Sequence, residues 1–312
     1  MSRIDKFKGI IPAFYACYDS NGEVSIEQNK KLARYLADKG VQGLYVGGSS
    51  GECIYHSVEE RKKALKAVME EVGGQLTVIA HVACNNTRDS AELAAYAEHL
   101  GVDAIASIPP IYFHLPEYAI ADYWNTISGA ACNTPFIIYN IPQLAGVALS
   151  HSLLREMLKN PNVIGVKNSS VSVQDIRDFK DIGGEDFIVF NGPDEQLAAG
   201  LMMGAEAGIG GTYAVMPELF LAVRRFLQAN QVEKAQQLQG DIVRIIEAML
   251  GGRANLYAVM KEYLKRYKGL DLGGVRAPLT GLCPQDDRIV TQTASMIEAV
   301  VKKVRRTVIK IK

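Results

Sequence analysis

The sequence predicts an α/β protein, a (β/α)8 TIM barrel with a C-terminal helical extension. Eight short apolar runs rich in β-forming residues alternate with longer segments of helical periodicity. The runs begin roughly 20 to 35 residues apart, which is about what one strand, one helix and two short loops require. Eight parallel strands close into a barrel more naturally than into an open doubly wound sheet. The open sheet is the alternative that the pattern alone leaves.

The predicted strands are short apolar runs bounded by turn residues. They begin at Gly9, Gly43, Thr77, Ala104, Phe136, Val163, Phe187 and Gly208. The segments between them are predicted helices, and several open with Ser or Thr followed by Glu, which caps the unpaired amides of a first turn. The clearest of these helices cover residues 25–39, 57–72, 87–100, 116–131 and 150–159.

After the eighth run the pattern changes. From Pro217 to about Arg306 there are amphipathic helical segments and no strong strand signal. We predict a barrel over residues 1–216, C-terminal helices over 217–306 packed on the barrel as part of the same unit, and a tail over 307–312.

Composition excludes several classes of function. The 312 residues are 48% hydrophobic and 22% charged, as in a globular protein, and 34 basic residues balance 34 acidic ones. With no net charge, no global field recruits nucleic acid or an anionic membrane, so we expect neither as a partner. The five cysteines are widely spaced and include no CxxC pair, and the N-terminus lacks a signal-peptide pattern. We therefore predict a cytoplasmic location.

Metal, nucleotide and redox chemistry are disfavoured as well. The five histidines show no HxH or HExxH spacing, and the chain has neither a GxxxxGK[ST] loop nor a GxGxxG that opens a helix near the N-terminus. We expect no metal and no cofactor, with each histidine at the surface or in packing.

In a barrel of this kind the active site forms where the strands end. Lys167 directly follows the sixth apolar run, on the same face as Gly165, whose missing side chain would leave space beside it. Burial would lower the pKa of a lysine there and expose the neutral amine that attacks a ketone. A lysine that reaches solvent from a strand end is the alternative.

Two other strand ends carry suitable groups. Tyr139, at the end of the fifth run, could relay protons beside an imine-forming lysine, although a core tyrosine is the more common reading of such a residue. The segment GGSSGE, residues 47–52, offers backbone amides and the hydroxyls of Ser49 and Ser50 to a carboxylate. A simple tight connection between strand and helix explains that segment equally well.

Taken together and in this order, GGSSGE, the YNIP tyrosine and GVKNSS resemble the N-acetylneuraminate lyase and dihydrodipicolinate synthase family of pyruvate-dependent class I aldolases, over essentially the whole chain. The resemblance implies a homotetramer in which Lys167 forms a Schiff base and Tyr139 relays protons. Ser49 and Ser50 match the pair at the pyruvate carboxylate, with Ser50 also linked to the tyrosine. Tyr112 resembles a tyrosine exchanged between neighbouring subunits, and a loop aromatic over the barrel mouth is the alternative.

The choice within the family depends on the second substrate. The synthases typically carry an arginine after their YNVP-like segment, whereas this chain continues as Gln143-Leu144-Ala145. Asp194 and Glu195 match the acidic pair that the lyases place near the polyol tail of the sugar, although either could cap the following helix instead. The residues implied to hold the sugar are Ser169, Gly192, Asp194, Glu195 and Gly211. Two of them depart from the lyase pattern, because many lyases have threonine at the position of Ser169 and serine at that of Gly211.

The resemblance therefore implies reversible cleavage of N-acetylneuraminate to N-acetylmannosamine and pyruvate. A dihydrodipicolinate synthase, or another 2-keto acid aldolase on the same scaffold, is the first alternative. A catalytically silent ligand-binding barrel is the second, disfavoured because Lys167 and Tyr139 are both present.

Overall fold

A computed structural model describes residues 3–308. Its eight strands are all parallel and follow one another around a ring, so the predicted barrel is confirmed. β1 pairs with β8, and a bridge between Ala13 and Tyr45 joins the ends of β1 and β2 and closes the ring. The strands are β1 (Gly9–Pro12), β2 (Gly43–Val46), β3 (Thr77–His81), β4 (Ala104–Ser107), β5 (Phe136–Asn140), β6 (Val163–Asn168), β7 (Ile188–Asn191) and β8 (Ala207–Gly210).

Helices surround the strands, and their first turns are capped as the sequence predicts. The Ser57 hydroxyl accepts from the Glu60 amide while the Glu60 carboxylate accepts from the Ser57 amide, a complete capping box. Ser25 and Ser150 also accept from amides two or three residues into their helices. The helices up to β8 are α1 (Ile26–Asp38), α2 (Val58–Val72), α3 (Thr87–His99), α4 (Glu117–Ala130), α5 (Pro142–Ala145), α6 (His151–Met157), α7 (Gln174–Gly183) and α8 (Leu197–Met202).

Alternation along the strands creates two apolar layers. One layer lies between the strands and the helices, and the other fills the inside of the ring. On β5 the inward residues are Ile137 and Tyr139, while Phe136 and Ile138 face the helices. Since side chains alternate along a strand, a residue in register with Tyr139 on β6 also faces inward. That residue is Lys167.

The chain after β8 is helical, as predicted, with α9 (Pro217–Gln228), α10 (Val232–Leu250), α11 (Leu256–Lys268) and α12 (Asp287–Val308). The first of these, α9, packs on β1 and α8 and so completes the outer ring of helices, which places the barrel's last helix beyond residue 216. α12 continues through residues 307 and 308 of the predicted tail, and 309–312 lie outside the described residues. Within residues 3–308 no helix is long and apolar enough to cross a membrane.

Candidate active site

Lys167 lies inside the ring, near the ends of the strands. It is in register with Tyr139 on β5 and only 4% exposed. Its Nζ is 3.8 Å from the centre of the Tyr139 ring and 4.2 Å from that of Tyr45. Within residues 3–308 no carboxylate lies within 4.0 Å of this nitrogen, so the amine is held between two aromatic faces without an ion-pair partner. The alternative of a lysine reaching out to solvent is thereby excluded.

This environment makes Lys167 a nucleophile at neutral pH. Burial lowers the pKa of its ammonium from 10.5 to about 7, and the more distant negative charge of Asp194 opposes the shift only in part. Near pH 7, therefore, the neutral amine is well populated, which it would not be at the ordinary pKa of a lysine. A primary amine must be neutral to add to a ketone carbon.

Gly165 has a different role from the one predicted. A Cβ at this position would lie 2.3 Å from the carbonyl oxygen of Ile188 and 2.6 Å from its Cγ2. The glycine thus lets β7 approach β6, and its missing side chain leaves no free space for Lys167. The prediction of an open space beside the lysine was wrong, because β7 fills it.

Tyr139 presents a protonated phenol beside the lysine. Burial raises the pKa of its hydroxyl to about 12, while hydrogen bonds to the side chains of Ser169 and Ser49 partly offset this. Its ring meets those of Tyr45 and His81 edge-on, which fixes its orientation. The phenol therefore joins two serine hydroxyls in a site where proton transfer can follow hydrogen bonds.

The GGSSGE segment forms a short 3-10 helix, Ser49–Gly51, directly after β2. Ser50 is buried, and its hydroxyl donates to the phenol oxygen of Tyr257 on α11 over 3.2 Å. Of the pair Ser49 and Ser50, it is Ser49 whose side chain hydrogen-bonds to Tyr139. This corrects the expectation that Ser50 links to that tyrosine. The two adjacent hydroxyls point to different tyrosines, one on a barrel strand and the other on a C-terminal helix.

Hydrogen bonds of His81 and Arg61 hold the start of this segment in place. The His81 Nδ1 donates to the Gly47 carbonyl over 2.9 Å, and the Arg61 guanidinium donates to the carbonyls of His81 and Ala83. Burial, with the nearby Arg61 charge, lowers the pKa of His81 to about 3, so the ring is neutral at pH 7. His81 was predicted to lie at the surface or in packing, but its ring fixes the segment that carries the two serines.

Asp194, in the 3-10 helix that follows β7, is buried. Its Oδ2 accepts from both the amide and the hydroxyl of Thr212, each over 2.6 Å. Burial raises the pKa of the carboxyl group to about 6, against the effect of these hydrogen bonds. Asp194 thus anchors the end of β8, and it does not cap α8, whose first turn has no side-chain cap. Glu195, by contrast, is exposed.

The two predicted glycines lie against the same group of serines. A Cβ on Gly192 would come within 2.0 Å of the Ser169 hydroxyl oxygen, so only glycine allows this approach. A Cβ on Gly211 would lie 3.4 Å from the Ser50 oxygen, and the Gly211 carbonyl accepts from the Tyr15 hydroxyl over 2.6 Å. The structure therefore brings most of the predicted residues together around Lys167 and Tyr139.

Tyr112 is the exception. It follows β4 at a φ of +87° and is 87% exposed, with its ring packed edge-on against Phe113. No bond links it to the residues around Lys167 in the part of the chain that the structure describes. A positive φ in a tyrosine is strained by about 1 to 3 kcal/mol and is usually held by its surroundings.

Sequence reasoning missed Tyr45, His81, Thr212 and Tyr257. Tyr45 and His81 lie in the last two residues of β2 and β3, and Thr212 follows β8 by two residues, so their positions could have drawn attention to them. Tyr257 carries no such signal, because it belongs to a helix far along the chain. Among the described residues no group of three His, Cys, Asp or Glu side chains could hold a metal ion.

Comparisons with known proteins agree with this geometry. The model of the dihydrodipicolinate synthetase family matches residues 6–299. An N-acetylneuraminate lyase of Mediterraneibacter gnavus is 59% identical over 297 residues, which are 95% of this chain and 94% of that protein. The wild-type sialic acid aldolase of Ruminococcus gnavus has a TM-score of 0.95 and 59% identity, over 96% of this chain and 100% of that one. A catalytic lysine mutant of that aldolase has a TM-score of 0.96 and 58% identity, over 97% and 100% of the two chains.

Proposed function

Because the chain belongs to the dihydrodipicolinate synthetase family, we propose that it is a class I aldolase that cleaves N-acetylneuraminate reversibly to N-acetylmannosamine and pyruvate. The protein is then a carbon–carbon lyase. The observation that carries the proposal is a buried lysine of lowered pKa whose Nζ lies 3.8 Å from the ring centre of a hydrogen-bonded tyrosine.

The first step is imine formation. The neutral amine of Lys167 attacks C2 of the open-chain sugar, and loss of water gives a protonated imine that withdraws electrons from the C3–C4 bond. Tyr139 accepts the proton of the C4 hydroxyl as its own proton passes to the Ser49 hydroxyl, and Ser49 in the same step gives its proton to the substrate carboxylate. The reverse relay later returns this proton to C3 of the enamine. The C3–C4 bond then breaks and releases the aldehyde. Protonation of the remaining enamine and hydrolysis return pyruvate and the free amine.

The surrounding residues hold the two ends of the substrate. Ser49 and Ser50 donate hydrogen bonds to the carboxylate. The loop after β2 can thus bind an anion locally although the chain has no net charge. The hydroxyl-rich part of the sugar meets the groups that follow β6, β7 and β8. These are Ser169, Asp194, Glu195 and the backbone at Gly192 and Gly211.

No cofactor takes part in this chemistry, because the lysine itself supplies the electron-withdrawing group as an imine. The similarity to a solved aldolase in which a catalytic lysine was changed supports the assignment of Lys167.

We further propose a homotetramer in the cytoplasm. Exposed apolar side chains at the mouth of the barrel, Tyr112 and Phe113 among them, support self-association. The five cysteines are all unpaired, which suits a reducing compartment. Sedimentation of the purified protein tests the assembly, and a stable monomer would remove the proposed subunit-bridging role of Tyr112.

One observation favours a second candidate. The matching family model is that of dihydrodipicolinate synthetase, so condensation of pyruvate with aspartate semialdehyde belongs in the same assay. The segment after Tyr139 has no arginine for the carboxylate of that aldehyde, which favours the sugar.

Two measurements test the proposal. Pyruvate release from N-acetylneuraminate is compared with condensation activity on aspartate semialdehyde, and we expect robust turnover only with the sugar. Borohydride reduction in the presence of pyruvate should add the mass of the reduced adduct to the peptide that contains Lys167. Activity only with the semialdehyde would reverse the choice of substrate, and an unmodified Lys167 would remove the imine mechanism.

A further inference from the structure

Tyr257 is placed at the mouth of the barrel by two local features. It lies in the first turn of α11, where its amide donates to the Asn255 side chain that caps this helix. Its ring is 6.0 Å from that of Tyr15, centre to centre. Tyr15 is itself fixed, because its hydroxyl donates to the Gly211 carbonyl over 2.6 Å. A side chain from the C-terminal helices is thus held among the ends of the barrel strands.

The Tyr257 hydroxyl meets the serine that we assign to the carboxylate. The Ser50 hydroxyl donates to the phenol oxygen of Tyr257 over 3.2 Å. A serine hydroxyl can donate only one hydrogen bond, and a bound carboxylate would accept that bond in place of Tyr257. The phenol can then rotate its own hydrogen toward the Ser50 oxygen. Two hydroxyls in series donate more strongly to an anion than one hydroxyl alone.

The space beside Ser50 explains why this donor comes from a distant helix. A Cβ on Gly211 would lie 3.4 Å from the Ser50 oxygen and 3.9 Å from the Tyr257 hydroxyl, so both groups border the same point. Gly211 has a φ of −72°, a conformation open to any residue, so the backbone does not require glycine there. With no side chain on residue 211, the hydroxyl next to Ser50 is that of Tyr257.

We propose that Tyr257 is a positioning residue for the keto-acid carboxylate, acting through its hydrogen bond to Ser50. The inference rests on the proposed function, since it assigns the carboxylate to Ser50. It predicts that the phenol hydroxyl affects the affinity for pyruvate and leaves the chemistry at Lys167 unchanged.

The test measures imine formation with pyruvate alone, by borohydride trapping and mass analysis of the Lys167 peptide. For Tyr257→Phe we expect the half-saturating pyruvate concentration to rise roughly fivefold, the effect of one neutral hydrogen bond, with the same maximal rate of trapping. Tyr263→Phe is the matched control. Tyr263 is a buried tyrosine of the same helix, and its hydroxyl has no hydrogen-bond partner within the described residues, so its removal should leave the pyruvate dependence unchanged.

A double-mutant cycle with Ser50→Ala separates the outcomes. If the phenol acts through Ser50, adding Tyr257→Phe to Ser50→Ala should cause no further rise in the half-saturating concentration. The inference would be overturned if Tyr257→Phe caused a further fivefold rise in the Ser50→Ala background, or if the half-saturating pyruvate concentration of the Tyr257→Phe single variant were unchanged. In both cases the native protein would still show trapped pyruvate on Lys167. Absence of any label in the native protein would instead overturn the proposed function.

Discussion

Glu52 and Lys261 form an ion pair inside the protein, with a Glu52 Oε1 to Lys261 Nζ distance of 2.8 Å and side-chain exposures of 0% and 1%. The other Glu52 oxygen accepts from the Tyr18 hydroxyl and from the Arg276 amide. Lys261 also donates to the Gly274 carbonyl. The pair therefore joins the loop after β2 to α11 and to the segment that follows it.

Loss of this carboxylate should destabilise the whole protein. Glu52→Gln leaves the Lys261 ammonium buried without an anion, and removing one partner of a buried pair typically costs about 3 to 5 kcal/mol. Urea unfolding followed by far-UV circular dichroism measures the change. Lys31→Ala breaks an exposed ion pair with Glu27 on α1 and should leave the midpoint unchanged. A Glu52→Gln protein as stable as the native one would contradict the assigned role.

The pH dependence of imine formation should report the amine of Lys167. Its pKa is lowered to about 7, so the neutral form predominates above pH 7 and is lost as the pH falls. At pyruvate concentrations well below saturation, the initial trapping rate should fall about tenfold for each pH unit below 7 and level off above it. Rapid-quench trapping from pH 5 to 9 provides the profile. A rate that still rises about tenfold between pH 8 and pH 9 would mean that the lysine keeps its ordinary pKa.

Tyr139→Phe should separate carbon–carbon cleavage from imine formation. The variant keeps the ring that packs against Lys167 and loses the hydroxyl bonded to Ser49 and Ser169. We expect kcat for sugar cleavage to fall by about 10² to 10⁴, the usual effect of losing a general acid–base group. Trapping of the pyruvate imine should persist. Tyr45→Phe is the control, because its buried hydroxyl has no hydrogen-bond partner among residues 3–308. Equal losses in both variants would argue against proton relay by Tyr139.

Gly210→Ala should displace Asp194. A Cβ on residue 210 would lie 2.0 Å from Asp194 Oδ1 and 2.2 Å from the Tyr213 ring, so the carboxylate would have to leave Thr212. We expect a rise of at least tenfold in KM for N-acetylneuraminate, with a smaller effect on trapping of pyruvate alone. Gly129→Ala on α4 meets no atom within 4 Å and serves as the control. A change confined to pyruvate would contradict the assignment of Asp194 to the sugar.

The elements of the barrel could be predicted because their signals are local. The runs from Gly43, Thr77 and Val163 begin at the first residues of β2, β3 and β6, and the Ser57 cap opens α2 as expected. Strand period, apolar runs and helix caps each depend on a few neighbouring residues. Lys167 and Tyr139 could be found for the same reason, since both stand near the end of a strand.

The remaining parts of the site depend on contacts between distant segments. The bond between Ser50 and Tyr257 joins residues that are 207 positions apart, and no period or spacing encodes it. The hydrogen bond from the Thr212 hydroxyl to the Asp194 carboxylate is not encoded by any period or spacing either. The sequence predicted Asp194 as a sugar ligand and gave no signal for Thr212. Gly165 was misread because the approach of β7 cannot be seen from the sequence of β6 alone.

The contacts of α11 with the loop after β2 have a consequence during synthesis on the ribosome. The strands that carry Lys167 and Tyr139 emerge well before Tyr257 and Lys261, which are needed to fix the loop that carries Ser50. A nascent chain that has completed all eight strands still lacks these supports, so its keto-acid pocket is unfinished. The loop that binds the substrate carboxylate beside Lys167 should therefore be completely formed only after α11 has left the exit tunnel.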